Sequence, residues 1–125
     1  MDFEWADSEV AACIWEGGRL QLRFSAARLC DVHNPHAQVH WAPLLLTSEH
    51  VEPWEPPEPV TCMGRLRHGV VLHASQRLQQ LPVPCTLQGV VTLELEFAQG
   101  GLLHVRCQGL VLHPLAGAAV GAYQC

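Results

Sequence analysis

Alternation of apolar and polar residues runs through most of this chain at a period of two. It is clearest between Val91 and Leu112. Val91, Leu93, Leu95 and Phe97 alternate with Thr92, Glu94 and Glu96; after Gln99-Gly100-Gly101, Leu103, Val105 and Cys107 alternate with His104, Arg106 and Gln108. Successive side chains of a strand point to opposite faces, so this pattern predicts two strands with one oily and one wet face. A three-residue loop with glycine in its third position joins them. Placing Gly101 there pairs Phe97 with Leu103, Leu95 with Val105 and Leu93 with Cys107 on one face. The other face then sets Glu96 against His104 and Glu94 against Arg106.

Glu16-Gly17-Gly18 reads as the same device. It opposes Ile14 to Leu20, Ala12 to Leu22 and Val10 to Phe24, with Trp15 opposite Arg19 as a cation–π pair. A third loop at Arg67-His68-Gly69 joins Leu66 to Val70. Aligning Gly17 with Gly100 also superposes Leu20 on Leu103 and Arg23 on Arg106. An internal duplication accounts for that, and so does the general likeness of hairpins built on one loop.

The predicted strands are 9–15, 19–29, 39–47, 61–66, 69–74, 77–81, 88–97 and 102–113, with 1–8 a loose start or short edge strand. Pro43 inside the third asks for an edge position or a bulge. Residues 50–60 hold Pro53, Pro56, Pro57 and Pro59 and read as a polyproline-like crossover carrying Trp54. Pro82 and Pro84 bracket a turn. Ser25–Cys30 and Ala116–Ala122 are the helix candidates, and both are too short to stand alone. The expected fold is all-β: a small antiparallel β-sandwich or β-barrel of about eight strands, built from hairpins. Either form hides the sheet edges. The length of 125 residues suits one domain over 1–125, with 116–125 a loose or partner-docked tail.

Composition narrows the chemistry. All basic residues are arginine and net charge is −5 with neutral histidines. The absence of lysine removes Schiff-base and phosphate-loop lysines, and with abundant Ala, Gly, Pro and Leu it suggests a GC-rich, bacterial coding sequence. No basic footprint for nucleic acid or an anionic membrane is visible. No apolar run approaches the length of a membrane span, and the first residues lack the features of a secretory signal, which points to the cytoplasm. The six cysteines include no C-x-x-C pair. Reduced thiols are the expectation, with Cys107 buried as a small hydrophobe.

Histidine is the enriched chemical type. His33, His36 and His40 form H-x-x-H-x-x-x-H beside Cys30 and Asp31. Imidazoles on a loop flanking a strand can hold a divalent transition metal, with His50, His73 or His104 adding a ligand. The competing reading is a solvated polar loop. A metal-dependent enzyme on such a scaffold is similar to cupins in architecture alone: no H-x-H pair occurs, and no cupin residue is carried over. Glu94 and Glu96 lie about 7 Å apart on one strand face, a spacing open to glycosidic acid–base chemistry but better explained by their cross-strand partners. Nucleophilic catalysis has little support: no G-x-S-x-G elbow exists, and Cys62 with His68 or His73 is expected by chance. Trp41, Trp54, Pro56 and Pro57, rimmed by glutamates, form the candidate partner-binding surface.

The leading functional expectation is a non-enzymatic β-domain acting through a protein partner or by homo-oligomerisation, as a dimer. The alternatives are a barrel holding a small apolar ligand and a cupin-like metal enzyme using His33, His36 and His40.

Overall fold

The computed structural model describes residues 1–31, 33, 34, 36, 38–52 and 62–115. They form eight strands: β1 (Asp2–Glu16), β2 (Arg19–Cys30), β3 (His40–Ser48), β4 (Gly64–His73), β5 (Gln76–Leu78), β6 (Gln80–Pro82), β7 (Cys85–Phe97) and β8 (Leu102–Pro114). All pairings are antiparallel, in the order β5-β4-β7-β8-β3-β2-β1-β6. β1 also pairs with β4, and this closes β1, β2, β3, β8, β7 and β4 into a six-stranded barrel. The two three-residue strands flank the closure, β5 on β4 and β6 on β1. Closure leaves few unpaired ladder groups, and the remaining edges are short.

Side chains fill the barrel. Phe3, Trp5 and Phe24 stack edge to face, with Phe3 centred 4.7 Å from Trp5 and 5.1 Å from Phe24. Leu20, Leu22, Leu44, Leu46, Leu93 and Phe97 pack around them, all fully buried. Cys107 belongs to the same cluster.

The hairpins carry the register, and here the structure corrects the sequence reading. The first loop has two residues. Gly17 and Gly18 have φ of 57° and 78°, as both central positions of a type I′ turn require. Glu16 therefore opposes Arg19, Trp15 opposes Leu20 and Cys13 opposes Leu22. A one-residue change in loop length inverts the faces: Ile14 points outward, 47% exposed, while Cys13 and Trp15 pack against the core. Trp15 thus shares its face with Leu20, not Arg19, whose guanidinium meets Glu49 at 2.8 Å. An irregularity around Ala11 then restores the expected pairing of Val10 with Phe24.

The last hairpin keeps its three-residue loop but shifts it by one. Phe97 and Gly101 flank Ala98-Gln99-Gly100, the Phe97 N–H donating to the Gly101 carbonyl at 2.8 Å. Gly100, with φ of 105°, takes the third position. Leu95 pairs with Leu103, Leu93 with Val105 and Val91 with Cys107. The apolar face is the one expected, because moving the whole loop by one residue slides the register by two. The two glycine loops therefore differ in kind, which removes the local basis for a duplication.

There is no third loop at Arg67-His68-Gly69, and the two strands expected at 61–66 and 69–74 are one, β4. Arg67 sits at a register irregularity against β7. The strand expected at 77–81 is two, β5 and β6. A cis Val83–Pro84 peptide lies between β6 and β7. The helix candidate Ser25–Cys30 is the end of β2, whose Phe24, Ala27 and Leu29 meet Leu44, Ala42 and His40 of β3. Pro43 faces the irregularity between Phe24 and Ala27, so the missing amide is accommodated where the ladder is already broken. The other helix candidate, Ala116–Ala122, and the tail 116–125 lie outside the described residues.

Residues 1–8, expected as a loose start or a short edge strand, enter β1 from Asp2 onward and carry its largest irregularity. Glu4 opposes Arg28 and Glu9 opposes Ala26, so β1 bulges between them. Asp7 there has φ of 71°. Ser8, fully buried, takes the place of the broken ladder: its Oγ donates to the Glu4 carbonyl at 2.7 Å and accepts the Arg28 N–H at 2.8 Å.

Candidate functional site

Two side-chain-to-backbone hydrogen bonds lie in the histidine segment. Asp31 Oδ1 accepts the His33 N–H at 3.0 Å, and Asn34 Oδ1 accepts the His36 N–H at 3.2 Å. These short side-chain turns are what Asp and Asn supply where a strand ends. His33, His36 and His40 are all exposed, the last at the start of β3. Two of the histidines considered as further ligands are engaged elsewhere: His73 Nε2 lies 2.8 Å from the Gln88 carbonyl, and His104 Nε2 lies 3.3 Å from Glu94. Among the described residues, no three His, Cys, Asp or Glu side chains gather where a metal ion could be held. Of the proposed partner surface, Trp41 is 39% exposed on β3, opposite Arg28. Trp54, Pro56 and Pro57 lie outside the described residues.

The outer face of β4, β7 and β8 is the richer surface, and it emerges only from the register. Three cross-strand rows lie on it: His68, Glu96 and Leu102; Val70, Glu94 and His104; Leu72, Thr92 and Arg106. Glu94 pairs with His104, and Glu96 with Arg67 at 3.0 Å. Arg106 turns instead to Glu52 at 3.3 Å. Both carboxylates thus have cationic or ionisable neighbours, as a solvated strand face provides. The departures from that pattern are apolar. Leu102 is 70% exposed at the start of β8. Val70 is buried yet stands apart from the interior cluster. An open hollow of about 270 Å³ is lined by Val70, Leu102, Leu103, His68, His104 and the two glutamates. Val90, 44% exposed, continues the apolar ground toward a second hollow beside Leu72.

A further cleft, of about 360 Å³, opens where β1 and β4 part. Trp5 and Gly69 form part of its lining, together with His68, Arg77 and Gln80. Gln80 Nε2 donates to Glu4 Oε1 at 2.7 Å, tying β6 to β1. The same carboxylate oxygen accepts the Cys30 thiol at 3.0 Å, and the other meets Arg28 at 3.2 Å. Burial, and then this bond to Glu4, push the Cys30 pKa up to about 11. Burial also raises the thiols of Cys85 and Cys107. Thiols held protonated in this way are poor nucleophiles near neutral pH. Among the described residues, no helix is long and apolar enough to cross a membrane.

No family model, curated protein or solved structure matches the chain.

Proposed function

We propose that the protein is a non-catalytic β-barrel module whose outer β4–β7–β8 face docks a second copy of the chain. The observation that carries this reading is Leu102, 70% exposed on the rim of the apolar hollow that Val70 and Leu103 help to line. A two-fold contact uses one patch on both subunits, so a protrusion and its receptacle must lie on the same surface. Here they do. The charges suit self-pairing as well, since Glu94 and Glu96 alternate with His68, His104 and Arg106 in adjoining rows. The filled interior favours this reading over an apolar-ligand barrel. The exposure of His33, His36 and His40, with His73 and His104 engaged elsewhere, favours it over a metal enzyme. The arginine-only basic composition supports a bacterial source.

Light scattering coupled to size-exclusion chromatography tests the reading. The wild type is expected to run as a dimer at micromolar concentration, and Leu102→Asp as a monomer that keeps its strand circular dichroism. A wild-type protein that stays monomeric across that range overturns the proposal. So does a Leu102→Asp dimer of unchanged affinity.

A further inference from the structure

The barrel closes over two register pairs, Glu9 with Arg65 and Val10 with Gly64. Cys62 lies two residues before Gly64 and Cys13 three residues after Val10, so both flank the end of this short ladder. Cys62 is fully buried and belongs to the core cluster. Cys13 is half-buried on β1, packed against the same cluster and opposite Leu22. The two thiols are near enough for Cys62 to be the largest influence on the Cys13 proton. Other described thiols have other engagements: Cys30 donates to Glu4, and Cys107 to the carbonyls of Val91 and Gly109. The topology thus brings together two cysteines, far apart in sequence, at the one place where the sheet meets itself.

We propose that Cys13 and Cys62 form an oxidisable dithiol that becomes a disulfide across the β1–β4 closure, with a small disulfide of the glutathione type as oxidant. Cys13, the less buried, loses its proton, and its sulfur attacks one sulfur of the small disulfide. The small S–S bond breaks, a protein–small-thiol mixed disulfide forms, and one small thiolate leaves. Cys62 then gives up its proton and attacks the Cys13 sulfur, releasing the second small thiolate. Two protein thiols are oxidised to one S–S bond, and one external disulfide is reduced to two thiols. The neighbouring Cys62 thiol, and burial after it, raise the Cys13 pKa. The resting pair is therefore protonated and slow to react near neutral pH, and closure speeds up as pH rises. The inference stands apart from the dimer, whose proposed face involves neither cysteine.

The test incubates the folded wild-type protein with oxidised glutathione, then unfolds it in the presence of an alkylating reagent. Closure removes about 2 Da from the intact mass and leaves four of the six cysteines open to alkylation. Peptide mapping finds Cys13 joined to Cys62. The thermal midpoint rises by about 10 °C, because the cross-link restricts the unfolded chain, and dithiothreitol reverses the rise. Cys62→Ser stops at the mixed disulfide on Cys13. The wild-type map decides the matter without any variant: six free thiols, stable mixed disulfides alone, or a bridge between other cysteines overturns the proposal.

Discussion

Gly69 leaves room for Trp5. A Cβ on Gly69 would stand 2.6 Å from Trp5 Cβ and 2.8 Å from Leu95 Cδ2, closer than packed atoms approach. Gly69 lacks the left-handed backbone that would itself call for glycine, so the cost of a side chain there is one of packing alone. Gly69→Ala is expected to lose about 1–3 kcal/mol of stability, read from the urea midpoint at unchanged slope. A midpoint equal to that of the wild type would show that Trp5 is free to move.

Ser8 is the second point of fragility. It bridges the Glu4 carbonyl and the Arg28 amide inside the β1 bulge. Ser8→Ala leaves the Arg28 N–H without its acceptor and is expected to cost about 1–3 kcal/mol. Ser8→Thr keeps the hydroxyl and separates hydrogen bonding from volume. Amide hydrogen exchange at Arg28 should accelerate in the alanine variant and much less in the threonine variant.

At the first turn, nothing lies within 4 Å of a Cβ built on Gly17 or Gly18. Only the backbone penalty then remains. Gly18→Ala is expected to destabilise by about 1–2 kcal/mol through its left-handed φ. Gly17→Asn is expected to be close to neutral, since Asn-Gly is the favoured type I′ pair. Thermal unfolding of the two variants side by side checks both statements. Equal losses would contradict a two-residue turn.

Cys30 supplies a pH dependence. Its folded-state pKa, about 11, lies above that of an unfolded-chain thiol. The folded protein therefore holds this proton more tightly, and the contribution to stability is present in full below the unfolded value. It fades as pH rises through that value toward the folded one. Alkylation of Cys30 by iodoacetamide, followed by peptide mass, should be slow at pH 8 and climb up to about pH 11. Glu4→Gln removes the nearby carboxylate charge while Arg28 remains, so it should accelerate alkylation at pH 8. An unchanged rate would leave burial and the Asp2 charge as the causes.

The all-β class is legible because apolar alternation and glycine loops are both local signals. Registers are legible only where one parity is clearly better. In the last hairpin a shift of the whole loop leaves Leu93, Leu95, Leu103 and Val105 on the same side, so the pattern finds the face and misses the partners. Near the first turn, Ile14 and Trp15 are both large and apolar, and either loop length buries one of them. The irregularity at Ala11 that reconciles the turn with Val10 and Phe24 leaves no mark in so neutral a residue. Arg67-His68-Gly69 resembles a turn because its glycine answers Trp5, a neighbour that closure of the barrel provides and local sequence does not. The apolar hollow on the β4–β7–β8 face is hidden for the same reason: Val70 and Leu102 are neighbours only through β7. The histidine loop, by contrast, is plain in the sequence, since Asp31 and Asn34 can accept the amides of His33 and His36 with no help from elsewhere.

Because β1 and β4 share only two register pairs, the backbone ladder that closes the curled ribbon is the shortest of the six in the barrel wall. Gentle denaturation should unroll the ribbon from that line, exposing Trp5 and Val10 while β2, β3, β7 and β8 still hold together. The chain from Gln76 to Pro82, lying first along β4 and then along β1, acts as a hinge strap that keeps the parted ends within reach of each other, so recoiling need not begin again from an open coil.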